Sequence, residues 1–141
     1  MTARFDTLVT LSKEADRSER YAFDWPAALP ADGFWMSRDL LSVTGTEVER
    51  GLSHDDLVRL SQCECVNFFS LNVHGIRDLL REVLVWSHHP SMEAYSAFLE
   101  RFLIEETQHL RFFAEFCRRY GGKTYAARSL PFPDRAGAAE R

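Results

Sequence analysis

The turn "SHHPS", Ser87 to Ser91, constrains this chain more than any other feature. Pro90 and the residue before it resist helical geometry, so two long helix-compatible stretches must end and begin there. The first stretch opens at "SHDD", where Ser53 is placed to cap a helix with Asp56 three residues later and acids near the positive helix end. This spacing predicts a helix over about residues 53 to 86. Ser91, with Glu93 in the first turn, is expected to cap a second helix over about residues 91 to 120. Gly121-Gly122 ends it, and Arg118 and Arg119 sit at its negative end. The fold class is therefore all-α. Two antiparallel helices cannot bury both long faces alone, whereas two such pairs make a four-helix bundle, so dimerisation is expected to complete it.

The flanking segments are short. Residues 4 to about 20 have the pattern of an amphipathic helix through Phe5, Leu8, Val9 and Leu11. "FDWPAALPADGFW" places two prolines and a glycine between aromatics and reads as a packed loop. A short helix through Ser37 to Val43, ending near Gly45, is expected to follow. Residues 1–125 would form the helical domain. The tail, residues 126–141, has two prolines and no periodicity, and reads as a flexible arm.

Composition excludes several functions. The chain has 141 residues and a net charge of −4. Its basic residues are scattered, not gathered into the clustered face that nucleic-acid binding needs. No apolar run reaches membrane-spanning length, and the first twenty residues lack an apolar signal core, so a cytoplasmic location is expected. Cys63 and Cys65 are two apart on a helix and point away from each other, while Cys117 lies on the other helix. That spacing suggests free thiols, not a zinc ribbon or a disulfide framework.

The second helix carries the candidate chemistry, in "FLIEETQHLRFFAEF". At about 100° per residue, Phe102, Glu106, His109, Phe113, Phe116 and Tyr120 fall in one narrow stripe. An acid and an imidazole thus point where the aromatics point. A Glu-x-x-His pair is the ligand unit of carboxylate-bridged di-metal bundles, and Glu105 flanks it as a further acid. The alternative is a satisfied acid–histidine pair in an aromatic core. On the first helix, Cys65, Val66, Phe69, Val73, Ile76, Leu80, Val83 and Leu84 form the apolar face. Glu64, Asn67, His74, Asp78 and Glu82 gather opposite and read as a solvated face, which leaves Glu64 and Asp78 as weaker ligand candidates.

The segments "ECVNFFSLNVHGIRDLL" and "FLIEETQHLRFFAEFCRRYGGKTY" together resemble the N-terminal half of ferritin-like di-iron oxygenases of the p-aminobenzoate N-oxygenase type, over roughly residues 50 to 125. The resemblance implies a ferritin-like helical hairpin and a dioxygen-activating iron site that oxidises an aryl amine or a related small-molecule substrate. It makes Glu106 a bridging ligand and His109 a terminal one. This chain departs from that pattern twice. Ile76 stands where the family usually has a glutamate, and the second set of ligands carried by the family's C-terminal half has no counterpart here. Two functions stay open: a metal-binding protein whose site is shared by a homodimer or with a full-length or split relative, and a metal-free helical module that dimerises or docks. A binding role for the loop of Trp25, Phe34 and Trp35 is a third, with a cap on the bundle end as its plainer alternative.

Overall fold

The computed structural model describes residues 23–127, together with Thr7 and Thr10. The expected helix over residues 4 to 20 and most of the tail, residues 128–141, lie outside the described residues. Among the described residues the architecture is all-α, with no strand.

Two helices dominate. A short helix α1, Glu47–Gly51, precedes α2, His54–Ser87, and the last is α3, Ser96–Tyr120. Helix α2 begins where Ser53 forms a full capping box with Asp56. The Asp56 amide donates to Ser53 Oγ at 3.2 Å, and the Asp56 carboxylate accepts from the Ser53 amide and hydroxyl. Those hydrogen bonds, the hydroxyl's first, hold the Asp56 carboxyl below its ordinary range.

The entry to α3 differs from expectation. His89, not Ser91, is the capping residue, and it caps a 3₁₀ helix, Pro90–Tyr95, that precedes the α-helix. The His89 ring nitrogen accepts from the Ser91 amide, and Pro90 occupies the first turn, where its missing N–H costs nothing. The tighter winding persists for six residues before α geometry takes over at Ser96. The exit of α3 matches the glycine pair: Gly122 has φ +70°, a left-handed conformation that favours glycine.

Helices α2 and α3 pack antiparallel. Cys117 Sγ lies 3.5 Å from Ser70 Oγ, and the ring of Phe69 lies 4.1 Å from that of Phe116. A Cβ on Gly121 would come within 2.6 Å of Val66 Cγ1, so only glycine permits this approach. The core gathers at this end: Leu57, Val58, Cys65, Val66, Val73, Ile76 and Cys117 are buried with Leu41, Ser61 and Ser70. Leu84, expected in the apolar face, is instead 48% exposed.

Two segments clasp this end of the pair. The loop of residues 23–46 lies across one side. Trp35 donates its amide to Ser61 Oγ (3.2 Å), accepts on its carbonyl from Cys65 Sγ (3.6 Å), and meets Phe116 and Tyr120 edge-on. Trp25 packs on Phe112 and Tyr120, and the Tyr120 hydroxyl donates to the Pro26 carbonyl at 2.6 Å. Within this loop the expected helix at Ser37 to Val43 is only a 3₁₀ turn, Arg38–Leu40, and Gly45 at φ +75° turns the chain into α1. The segment after Gly122 clasps the other side. The Tyr125 amide donates to Ser70 Oγ at 3.0 Å, and the Tyr125 carbonyl accepts from His74 Nε2 at 2.7 Å.

Candidate functional site

The periodicity of α3 fixes which side chains share its aromatic stripe, and the packing against α2 decides how deeply each sits. Glu106 Oε1 lies 3.5 Å from His109 Nδ1, with side chains 19% and 39% exposed. Glu106 falls seven residues before Phe113, whose ring packs on Phe69 at 5.3 Å, so it leans toward α2. His109 falls seven before Phe116, whose ring lies 4.1 Å from that of Phe69, and seven after Phe102; its greater exposure puts it on the flank of the stripe. Its ring stacks obliquely on Phe113 at 6.5 Å. Glu105 is half-buried on the same flank, and neither it nor His109 is without a further partner.

The antiparallel register shows what α2 presents to this pair. Val66 abuts Gly121, Ser70 abuts Cys117 and Phe69 abuts Phe116. Continued at equal rise on both helices, this register brings His109 level with Ile76 to Asp78 and Glu106 level with Leu79 to Arg81. The inward residues there are Ile76, which is buried, and Leu80. Asp78 is level but points outward, its side chain 78% exposed and 3.9 Å from Arg81. The buried residue level with the pair across the seam is therefore an isoleucine.

Glu64 and His74 are not on a solvated face. Glu64 accepts from the Ser42 amide at 2.9 Å and from the Ser42 hydroxyl, so both carboxylate oxygens anchor the loop. It is level with the far end of α3, ~25 Å along the axis from Glu106, and one ion cannot bridge the two within a chain. His74 lies beneath the C-terminal segment, where the Tyr125 carbonyl requires a proton on Nε2. Helical periodicity alone places both on the solvated face, because it carries no information about segments that fold back from elsewhere in the chain. Asn72 is half-buried and donates to the Phe68 carbonyl at 2.8 Å.

Among the described residues, no group of three or more His, Cys, Asp and Glu side chains converges as a metal site. Glu106 and His109 are thus the two donors that a single chain brings together there. The thiols form no disulfide: Cys63 is exposed, and Cys65 and Cys117 are buried. Burial, with Cys117 nearby, pushes the Cys65 thiol above its ordinary range. Burial likewise raises the Tyr125 phenol, with a smaller contribution from Cys63.

Sequence reasoning missed the buried polar pair Ser61 and Ser70, which join the two clasping segments to α2. It also missed the exposed large residues Phe68, Leu71, Leu79 and Trp86 on α2. The seven-residue steps from Phe68 to Gly75 and from Asn72 through Leu79 to Trp86 were the available signal, with Leu71 one turn before Gly75.

Together these features define an all-α protein in which a long antiparallel helix pair carries an acid–imidazole pair at its less covered end. No helix among the described residues is long and apolar enough to cross a membrane. Comparison of the chain with protein-family models, with curated proteins and with solved structures finds no match.

Proposed function

We propose that this chain is a ferritin-like helical hairpin whose Glu106–His109 pair is one half of an iron site, the other half coming from a second chain. The observation that carries it is the placement of the pair: two donors 3.5 Å apart on an aromatic stripe, with nothing but apolar side chains opposite on α2. One chain does not fit a di-iron centre, because two donors are too few. Two chains related by a twofold would offer two carboxylates and two imidazoles, with Glu105 beside them, a donor set suited to iron. Iron held there would supply dioxygen activation, the chemistry that the resemblance to amine oxygenases implies for an amine or aromatic substrate. The roles of this chain's own residues are to supply donors and to surround them with Phe102, Phe113 and Phe116, which limit water access.

Metal content after anaerobic reconstitution with Fe(II), measured with the molecular mass, tests this reading. One or two irons per dimer, lost in His109→Ala, is the expected result. Unchanged iron content in that variant would overturn it.

A second reading is favoured by Ile76, buried where the resemblance calls for a carboxylate. In it the chain is a metal-free module that dimerises or docks, and Glu106 and His109 are only an ion pair. Replacing both by Leu and Gln would then leave folding intact, and the wild type would take up no iron.

A further inference from the structure

We infer that the side of α3 bearing Arg101, Glu105, Gln108 and Phe112 is the seat of this chain's own N-terminal segment, residues 1–22, which packs there as a further helix. The inference stands apart from the metal reading above, because it invokes no donor atom and its test measures no metal.

Helix α3 has three sides of different character. Phe113, Phe116 and Cys117 meet α2. Glu100, Ile104, Thr107, Arg111 and Arg118 share one stripe and are exposed. Arg101, Glu105, Gln108 and Phe112 share another, and all four are half-buried. The two stripes stand on opposite flanks of the α2 seam, each roughly 130° from it. Helix α2 therefore shelters them equally, and the difference in exposure calls for a second cover on the Arg101 side. Arg101 and Glu105 each make a further interaction, as do His109 at the edge of this side and Tyr95 at its start.

The described chain shows what that cover is, because it begins here. Phe23 and Trp25 pack on Phe112, with ring centroids 5.7 and 4.8 Å away. From there the loop runs toward the Gly121 end, where Trp25 and the Pro26 carbonyl meet Tyr120. With that end occupied, the residues before Phe23 have the stretch from Ser96 to Phe112 open to them. It is ~24 Å long, and a helix over residues 4 to 20 would measure ~25 Å.

The pattern of the segment fits the same seat. Thr7 and Thr10 are helical and exposed. On a helix through them, Phe5, Leu8 and Val9 fall on the opposite half, away from the exposed threonines. An apolar half of that kind matches Phe98 and Phe102, whose rings stack 6.5 Å apart along the border of the Arg101 side. Arg101 and Glu105 then lie at the rim, where their long stems cover apolar surface and their charged ends reach water.

Hydrogen–deuterium exchange on the full chain tests the inference, comparing wild type with Leu8→Asp/Val9→Asp and with Thr7→Asp/Thr10→Asp. Amides of residues 98–110 are expected to exchange at least ~10-fold faster when the apolar positions carry acids, and at the wild-type rate when the exposed threonines do. Residues 62–73, in the clasped core, report whether the first variant keeps its fold. Should it unfold, a second measurement decides: Ser12→Cys with Arg101→Cys and Cys63→Ser, treated with a short bis-maleimide and read by mass. Cys65 and Cys117 are buried and stay out of that reaction, and a link within one chain is expected. In a folded variant, exchange that ignores the acids at Leu8 and Val9 overturns the inference. So does the absence of a link between positions 12 and 101, or a link formed only between chains, which would give the seat to the segment of a second copy.

Discussion

The two ends of the helix pair are built to different standards. At the Gly121 end, α2 and α3 approach closely enough to exclude any Cβ, and a loop and a C-terminal segment clasp them from both sides. Every buried residue of the pair lies at or before Ile76 on α2, or at Cys117 on α3. Beyond that point no residue of α2 or α3 among those described is fully buried, although Leu80, Val83, Phe98, Phe102 and Leu103 continue the apolar pattern. The apolar pattern is therefore longer than its cover. One end is a finished core, and the other is less covered and carries the acid–imidazole pair. The well-packed core and the acid–imidazole pair are separated along the same two helices.

The largest effect that would sharpen this contrast comes from matched valine deletions. Val73, fully buried, should lose about 2–3 kcal/mol on substitution by alanine, through lost transfer energy and a cavity. Val85, 72% exposed on the outer side, should change by less than about 0.5 kcal/mol. Chemical denaturation of Val73→Ala and Val85→Ala reads both, and similar losses would mean that the far end is as well packed as the near one.

Gly121→Ala should be the next largest. Its Cβ would lie 2.6 Å from Val66 Cγ1 and 2.9 Å from the Cys117 carbonyl, the latter a backbone atom that cannot step aside. A loss of about 1–3 kcal/mol is expected, against the usual gain from replacing a helix-end glycine that lacks special geometry. A neutral result in thermal melts would show that the helices separate at little cost and would remove the contrast between the ends.

The smallest effect is acidic. Glu115 accepts hydrogen bonds from Arg118 and Arg119, and these hold its carboxyl down to about 2. A depressed folded-state pKa contributes stability that is present above the ordinary carboxylate range and is lost as pH falls through that range toward 2. The group is exposed and the contribution correspondingly slight. Melting temperature against pH for wild type and Glu115→Gln should converge on acidification; a gap that widens instead would contradict the pairing.

Helix existence and most helix ends were legible in the sequence because their signals are local. The Ser53–Asp56 capping box, Pro90 and the Gly121-Gly122 exit each act within one turn of backbone, and each appears where the residues put it. The inward stripe of α3 was legible for the same reason, since a period of 3.6 needs only neighbouring residues. The start of α3 was misread by five residues because a proline turn can wind as 3₁₀ or α with nearly the same residues, and His89 competed with Ser91 for the cap.

What the sequence by itself determined, then, is an all-α chain with two long helices and an acid–histidine pair on an aromatic stripe. Only the tertiary structure decided that Glu64 holds Ser42, that His74 holds the backbone of Tyr125, and that Ser61 and Ser70 are buried as anchors. It alone decided that cover stops near Ile76 and leaves Phe68, Leu71, Leu79 and Trp86 exposed. The physical reason is range. Caps, prolines and periodicity are settled by bonds a few residues apart, whereas burial depends on which segments return from 20 to 50 positions away, as the Ser42–Glu64 and His74–Tyr125 contacts do.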